Sequence, residues 1–110
     1  MHGYYVDDLV LITPVQHPAG VRLIGRLIGA HKVPLTQAVQ EQSRGCREVV
    51  VDLTGVDYLA NSALETLVAV ARTLGPPRCL DVRAPARLGL GERLTGHGWD
   101  GVETLRLTLV

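Results

Sequence analysis

The run "EVVVDL" at residues 48–53, with a helical apolar stripe starting about ten residues later, constrains the fold more than any other feature of this chain. A continuous apolar run, unlike an alternating one, predicts a strand covered on both faces, as in a parallel sheet. Beyond it, Leu64, Leu67, Val68, Ala71 and Leu74 recur at i, i+3, i+4, i+7 and i+10. That spacing lays one apolar stripe along an α-helix. Gly75-Pro76-Pro77 then stops the helix. A buried strand feeding a one-sided helix is the first half of a strand–helix–strand crossover, and so predicts α/β architecture.

The rest of the chain continues the alternation. "DLVLITPV" (8–15) and "GVRLIGRLI" (20–28) flank Pro18 and Gly20 in "QHPAG" and predict an N-terminal hairpin. Leu35, Ala38, Val39 and Gln42 fall at helical spacing, with Pro34 suited to the first turn and Gly45 to the stop. "RCLDVRA" (78–84) predicts a strand, Pro85 opens a third helix running to about Thr95, and 102–110 closes as a strand with Val102, Leu105, Leu107 and Leu109 apolar. Gly89 and Gly91 each cost about 1 kcal/mol against Ala inside a helix, making the third helix the softest. The expected fold is a single domain over 1–110, with a mostly parallel sheet, an N-terminal hairpin and about three helices. A chain of 110 residues is long enough for one core without metals or disulfides.

Charge and motif content remove most functional classes. Eleven basic residues, ten of them Arg, balance eleven acidic ones, so no net field favours nucleic acid or an anionic membrane surface. No apolar run reaches the ~18 residues of a membrane span, and no leader pattern opens the chain. The expected place is the cytoplasm, with Cys46 and Cys79 as reduced thiols. His2, His17, His31 and His97 show no metal-ligand spacing. Asp7, Asp8, Asp52 and Asp57 lack a neighbouring base; Asp52 is expected to end its strand and Asp57 to sit in a turn. Ser62 lies outside any Gly-x-Ser-x-Gly elbow, and the glycines of "GVRLIGRLIG" and "GLGERLTGHG" do not make a dinucleotide loop. The expectation is a protein without enzymatic activity, metal or cofactor.

That leaves the join between strand and helix, "DYLANSALETL" at 57–67. Ser62-x-x-Glu65 fits a capping box, in which the Ser62 hydroxyl would accept from the N–H of residue 65 and Glu65 would reach back, a cap worth ~1 kcal/mol. Asn61 could cap instead. A helix N-terminus also favours negative charge by ~0.3–1 kcal/mol, so a phosphate on Ser62 would be tolerated. The join lies past the carboxyl end of a strand, where open α/β sheets place their sites.

The run "VVVDLTGVDYLANSALETLVAVARTL" resembles the central segment of STAS domains, the fold of bacterial anti-sigma-factor antagonists. In that family a V-[VI]-[LV]-D-L strand leads through an aromatic or aliphatic pair to Asp-Ser-[Ser/Thr]-Gly and a helix. Here the Asp falls on Ala60, the phosphoacceptor Ser on Asn61, the next Ser/Thr on Ser62 and the Gly on Ala63. "ERLTG" (92–96) approximates the end of the family's third helix. The family's Gly-Glu-Leu-Asp is "GRLI" (25–28), with Arg26 in place of the acid. The resemblance implies a signalling module in transcription regulation, docking an anti-sigma factor or serine kinase-like partner through 57–66. The contact residues would be Tyr58, Ala60, Asn61, Ser62, Ala63, Glu65 and Thr66, with at least one of Tyr58 and Leu59 in the core. Asn61 has no hydroxyl and cannot take the phosphate. Alternatives are a STAS subunit bound to an ABC transport ATPase and a module sensing a small ligand or nucleotide. A second copy of the chain stays open as a partner.

Overall fold

The computed structural model describes residues 5–16 and 18–110; His2 and His17 lie outside them. A six-stranded sheet runs in sequence order: β1 (Tyr5–Val6), β2 (Val10–Val15), β3 (Gly20–Leu27), β4 (Glu48–Leu59), β5 (Cys79–Ala84) and β6 (Leu105–Leu109). β1, β2 and β3 pair antiparallel, forming the expected hairpin plus a short added edge; β3 through β6 pair parallel. The crossovers carry α1 (Lys32–Ser43), α2 (Asn61–Arg72) and α3 (Leu90–Gly96).

Parallel strands laid down in order, joined by right-handed crossovers, place every connecting helix on the same side. α1 and α2 pack on each other there. Val49, Val51, Leu53, Leu64, Leu67, Val68 and Ala71 meet beneath them in one core, so the α2 stripe is as expected. This corrects the reading of "EVVVDL" as covered on both faces. Val50 is only 2% exposed, yet it lies outside that core, flanked in register by Gly20 and Asp81. The helix-free face is spread with polar pairs instead. Arg22 meets Asp52 at 3.3 Å, Arg83 meets Asp81 at 3.2 Å and Arg106 meets Glu48 at 2.7 Å.

Three further expectations are corrected. β4 continues well past Asp52, and Asp57 is a strand residue rather than a turn residue. Two register shifts against β3, between Arg22 and Ile24 and between Gly25 and Arg26, absorb extra β4 residues as bulges. The third helix is split: a 3₁₀ turn at Ala86–Leu88 is divided from α3 by Gly89, at φ +60 in the left-handed region. A helix cannot propagate through that conformation. The last strand begins at Leu105 rather than at 102, which leaves Val102 in the loop before it; Leu105 and Leu107 are half-buried, and Leu109 is 61% exposed.

Asp7 does have a partner. Its carboxylate accepts from the N–H groups of Leu9 and Val10 at 2.8 and 2.9 Å and from the Tyr5 hydroxyl at 2.9 Å. His31, 2% exposed, lies 2.8 Å away through Nε2. Its Nδ1 accepts the Ile28 N–H at 3.1 Å, which leaves Nε2 carrying the hydrogen donated to Asp7. This clasp ties the β1–β2 corner to the 3₁₀ turn Gly29–His31. The Val10 and Leu9 amides, aided by His31 and Tyr5, hold the Asp7 carboxyl well below the usual carboxylate range. A carboxyl depressed on folding stabilises the native state above its unfolded value of about 3.9, and that contribution runs down as pH falls from there towards the lower folded value. Wild type should therefore lose urea resistance more steeply between about pH 5 and pH 3 than Asp7→Asn does. Parallel acid limbs would show that the clasp carries no linkage.

Candidate functional site

β4 delivers the join to the carboxyl edge of the sheet. The Ala60 N–H donates to the Leu27 carbonyl at 2.9 Å, pinning the join to the end of β3. Ala60 is extended (φ −68, ψ 153) and is the N-cap of α2, its carbonyl accepting from Ala63 and Leu64, both at 3.0 Å. Neither expected cap forms, because the helix has already begun at Asn61. A cap side chain must sit on the last non-helical residue. Here that residue is Ala60, which has no oxygen to offer. Ser62 is the second helical residue, and Glu65 is exposed without reaching back. Ser62→Ala should therefore change stability by no more than about 0.5 kcal/mol, as at an ordinary surface position. A loss near 1 kcal/mol in urea unfolding would restore the cap.

Asn61 is held by a residue that sequence reasoning did not single out. Arg93 Nη2 donates to Asn61 Oδ1 at 2.8 Å and to the Leu59 carbonyl at 2.6 Å, so α3 is strapped across the join. Arg87 adds a second strap, donating from Nη2 to the Val56 carbonyl at 2.7 Å. Only chain folding brings these groups together. The one signal in the sequence was the concentration of basic charge in arginine, whose fork bridges several acceptors.

The expected contact residues divide by direction. Tyr58 is 47% exposed, with the Arg26 guanidinium 5.5 Å above its ring. Leu59 turns into the core. Asn61, Ser62 and Glu65 are exposed and Ala60 is half-buried. Ala63 and Thr66, at 2% and 4% exposure, face inward, and the Thr66 hydroxyl donates to the Ser62 carbonyl at 3.0 Å. Ala63 supports the site from beneath, while Thr66 shows only its edge, in the floor of a depression beside α2.

Two depressions flank the start of α2. One of about 300 Å³ is lined by Gly29, Lys32, Ser62, Glu65, Arg72 and Trp99. The turn at Gly29 closes tightly on α2, since a Cβ added there would lie 2.7 Å from Ser62 Oγ. The other, of about 270 Å³, lies between the end of β4 and α3, against Tyr58, Asn61, Arg87 and Arg93. Cys46 and Cys79 are free thiols. Among the described residues, no cluster of three His, Cys, Asp or Glu is placed to hold a metal, and no helix is long and apolar enough to cross a membrane.

No protein-family model matches the chain, and no curated protein matches it. Its architecture does match a solved one. The crystal structure of an anti-sigma factor antagonist from Mycobacterium paratuberculosis superposes with a TM-score of 0.74 at 21% identity, covering 92% of this chain and 88% of that one. The chain has a STAS-like fold. The likeness is one of fold.

Proposed function

We propose that this protein is a non-enzymatic interaction module of the anti-sigma-factor-antagonist kind, acting in the cytoplasm. Its join at 57–66 docks a regulatory protein, an anti-sigma factor or serine kinase-like partner. The observation that carries the reading is Asn61. It stands exposed at the first residue of α2, on a STAS-like fold, at the position that matches the family's phosphoacceptor. An amide there has no hydroxyl to phosphorylate and carries no charge. It resembles the unphosphorylated, partner-binding state, and Arg93 keeps it in one pose. Docking here is therefore constitutive, governed by the amount of protein present rather than by a kinase acting at residue 61.

Pull-down from the native host, followed by calorimetry with the purified partner, tests this. An ABC ATPase as the captured protein would favour the transport reading, and no protein partner at all would favour a ligand-sensing one. Asn61→Trp places bulk at the centre of the surface and should weaken binding about tenfold or more, ~1.4 kcal/mol. A carboxylate at this position is a poorer probe, because Arg93 would neutralise it. Gln40→Asp, exposed on α1, is the control and should bind like wild type. Equal binding by wild type and Asn61→Trp would move the interface elsewhere.

A further inference from the structure

We propose that the surface around Asn61 is built for a protein partner that brings carboxylates to it, meeting Arg26, Arg87 and Arg93; this rests on the docking function above and specifies the chemistry of the other side. The case begins with what each arginine is bonded to. On the open sheet face, Arg22, Arg83 and Arg106 each sit within 3.3 Å of a carboxylate, so their charges are compensated where they stand. The arginines at the join are fixed in another way. Arg87 donates to a backbone carbonyl, and Arg93 donates to a carbonyl and an amide oxygen. Arg26 lies over the ring of Tyr58. Neutral acceptors and a ring hold a guanidinium in place without cancelling its charge. Among the described residues, none of these three forms an ion pair.

The three charges surround one place. Arg87 and Arg93 line the basin of about 270 Å³, whose lining contains a single carboxylate, Asp57. Tyr58 forms part of the same lining and carries Arg26 above it. The positive end of the α2 dipole lies alongside. Three cations against one anion attract an acidic partner and repel a basic one. Tyrosine and arginine are also the residue types on which interface energy concentrates. Because Arg87 and Arg93 are already held by the fold, a partner gains their charges without having to order their side chains.

A random peptide library displayed on phage, selected at low salt on the immobilised full chain, tests this. The peptides retained should be enriched in Asp and Glu over the unselected library. Arg26→Glu should weaken the selected peptides about tenfold, with Arg26→Gln between it and wild type. Added salt should weaken binding to wild type. Arg26 is exposed and its guanidinium makes no hydrogen bond in the described structure, so these variants should keep the wild-type circular dichroism and melting temperature. If Asn61→Trp abolishes peptide binding while Arg26 variants and salt leave it unchanged, the docking site stands and the acidic partner is overturned. If the peptides ignore Asn61 and Arg26 alike, or none is enriched over an unrelated domain, the docking reading falls with it.

Discussion

Gly25→Ala should cost about 3–5 kcal/mol of stability, the upper range for one added methyl group. Gly25 has φ +111, which residues with a Cβ rarely adopt. Space forbids the methyl as well, since an added Cβ would fall 2.2 Å from the Leu9 carbonyl oxygen and 3.2 Å from its carbon. That carbonyl cannot easily withdraw. It accepts the Arg26 N–H at 2.9 Å, and Val10, the next residue, is paired in register with Gly25. On its other side Gly25 pairs with Val56 of β4, beside a bulge. The strain would thus fall where the antiparallel hairpin joins the parallel half of the sheet. Urea unfolding followed by circular dichroism measures it. Gly101→Ala, where an added Cβ meets nothing within 4 Å, is the control and should stay within about 0.5 kcal/mol. A Gly25→Ala loss below about 1 kcal/mol would mean that the β2–β3 corner yields more readily than its hydrogen bonds indicate.

The elements that declared themselves in the sequence are those whose burial is periodic over a local window. The stripe from Leu64 to Leu74 and the alternation of strand and helix needed nothing distant. What stayed hidden was decided by partners far along the chain. Thr54, Gly55 and Asp57 have turn chemistry, yet β3 holds them in a bulged strand. Asn61 and Ser62 have capping chemistry, but α2 has already begun at Asn61, whose oxygen accepts instead from Arg93, 32 residues on. Asp7 finds His31 across 24 residues. Val50 shows how composition alone misleads: it completes an apolar run, yet it is sheltered on the face without helices. The site suffers most from this blindness. Its exposed residues could be named from the motif, while the arginines that fix them could not.

Arg93→Ala should cost about 2–3 kcal/mol, the other large effect, because one side chain satisfies several acceptors at once. The Leu59 carbonyl belongs to a residue 2% exposed at the end of β4, and it accepts from Arg93 at 2.6 Å. Removing the donor leaves a partly desolvated carbonyl unpaired, and that penalty exceeds the net worth of an ordinary hydrogen bond. The Leu88 carbonyl, at 3.5 Å from Nη1, adds little. Asn61→Ala removes only the exposed 2.8 Å contact and should cost about 0.5 kcal/mol. The double variant should then fall short of the sum of the singles by about 0.5 kcal/mol, the energy of the shared bond. Arg93→Lys should recover less than half of the loss, since an ammonium is a point donor and cannot reproduce a fork across β4 and α2. Strict additivity in the cycle would mean that Arg93 braces β4 alone and that Asn61 is free to reorient. A measured coupling would mean that α3 sets the pose of the residue standing where the family carries its switch.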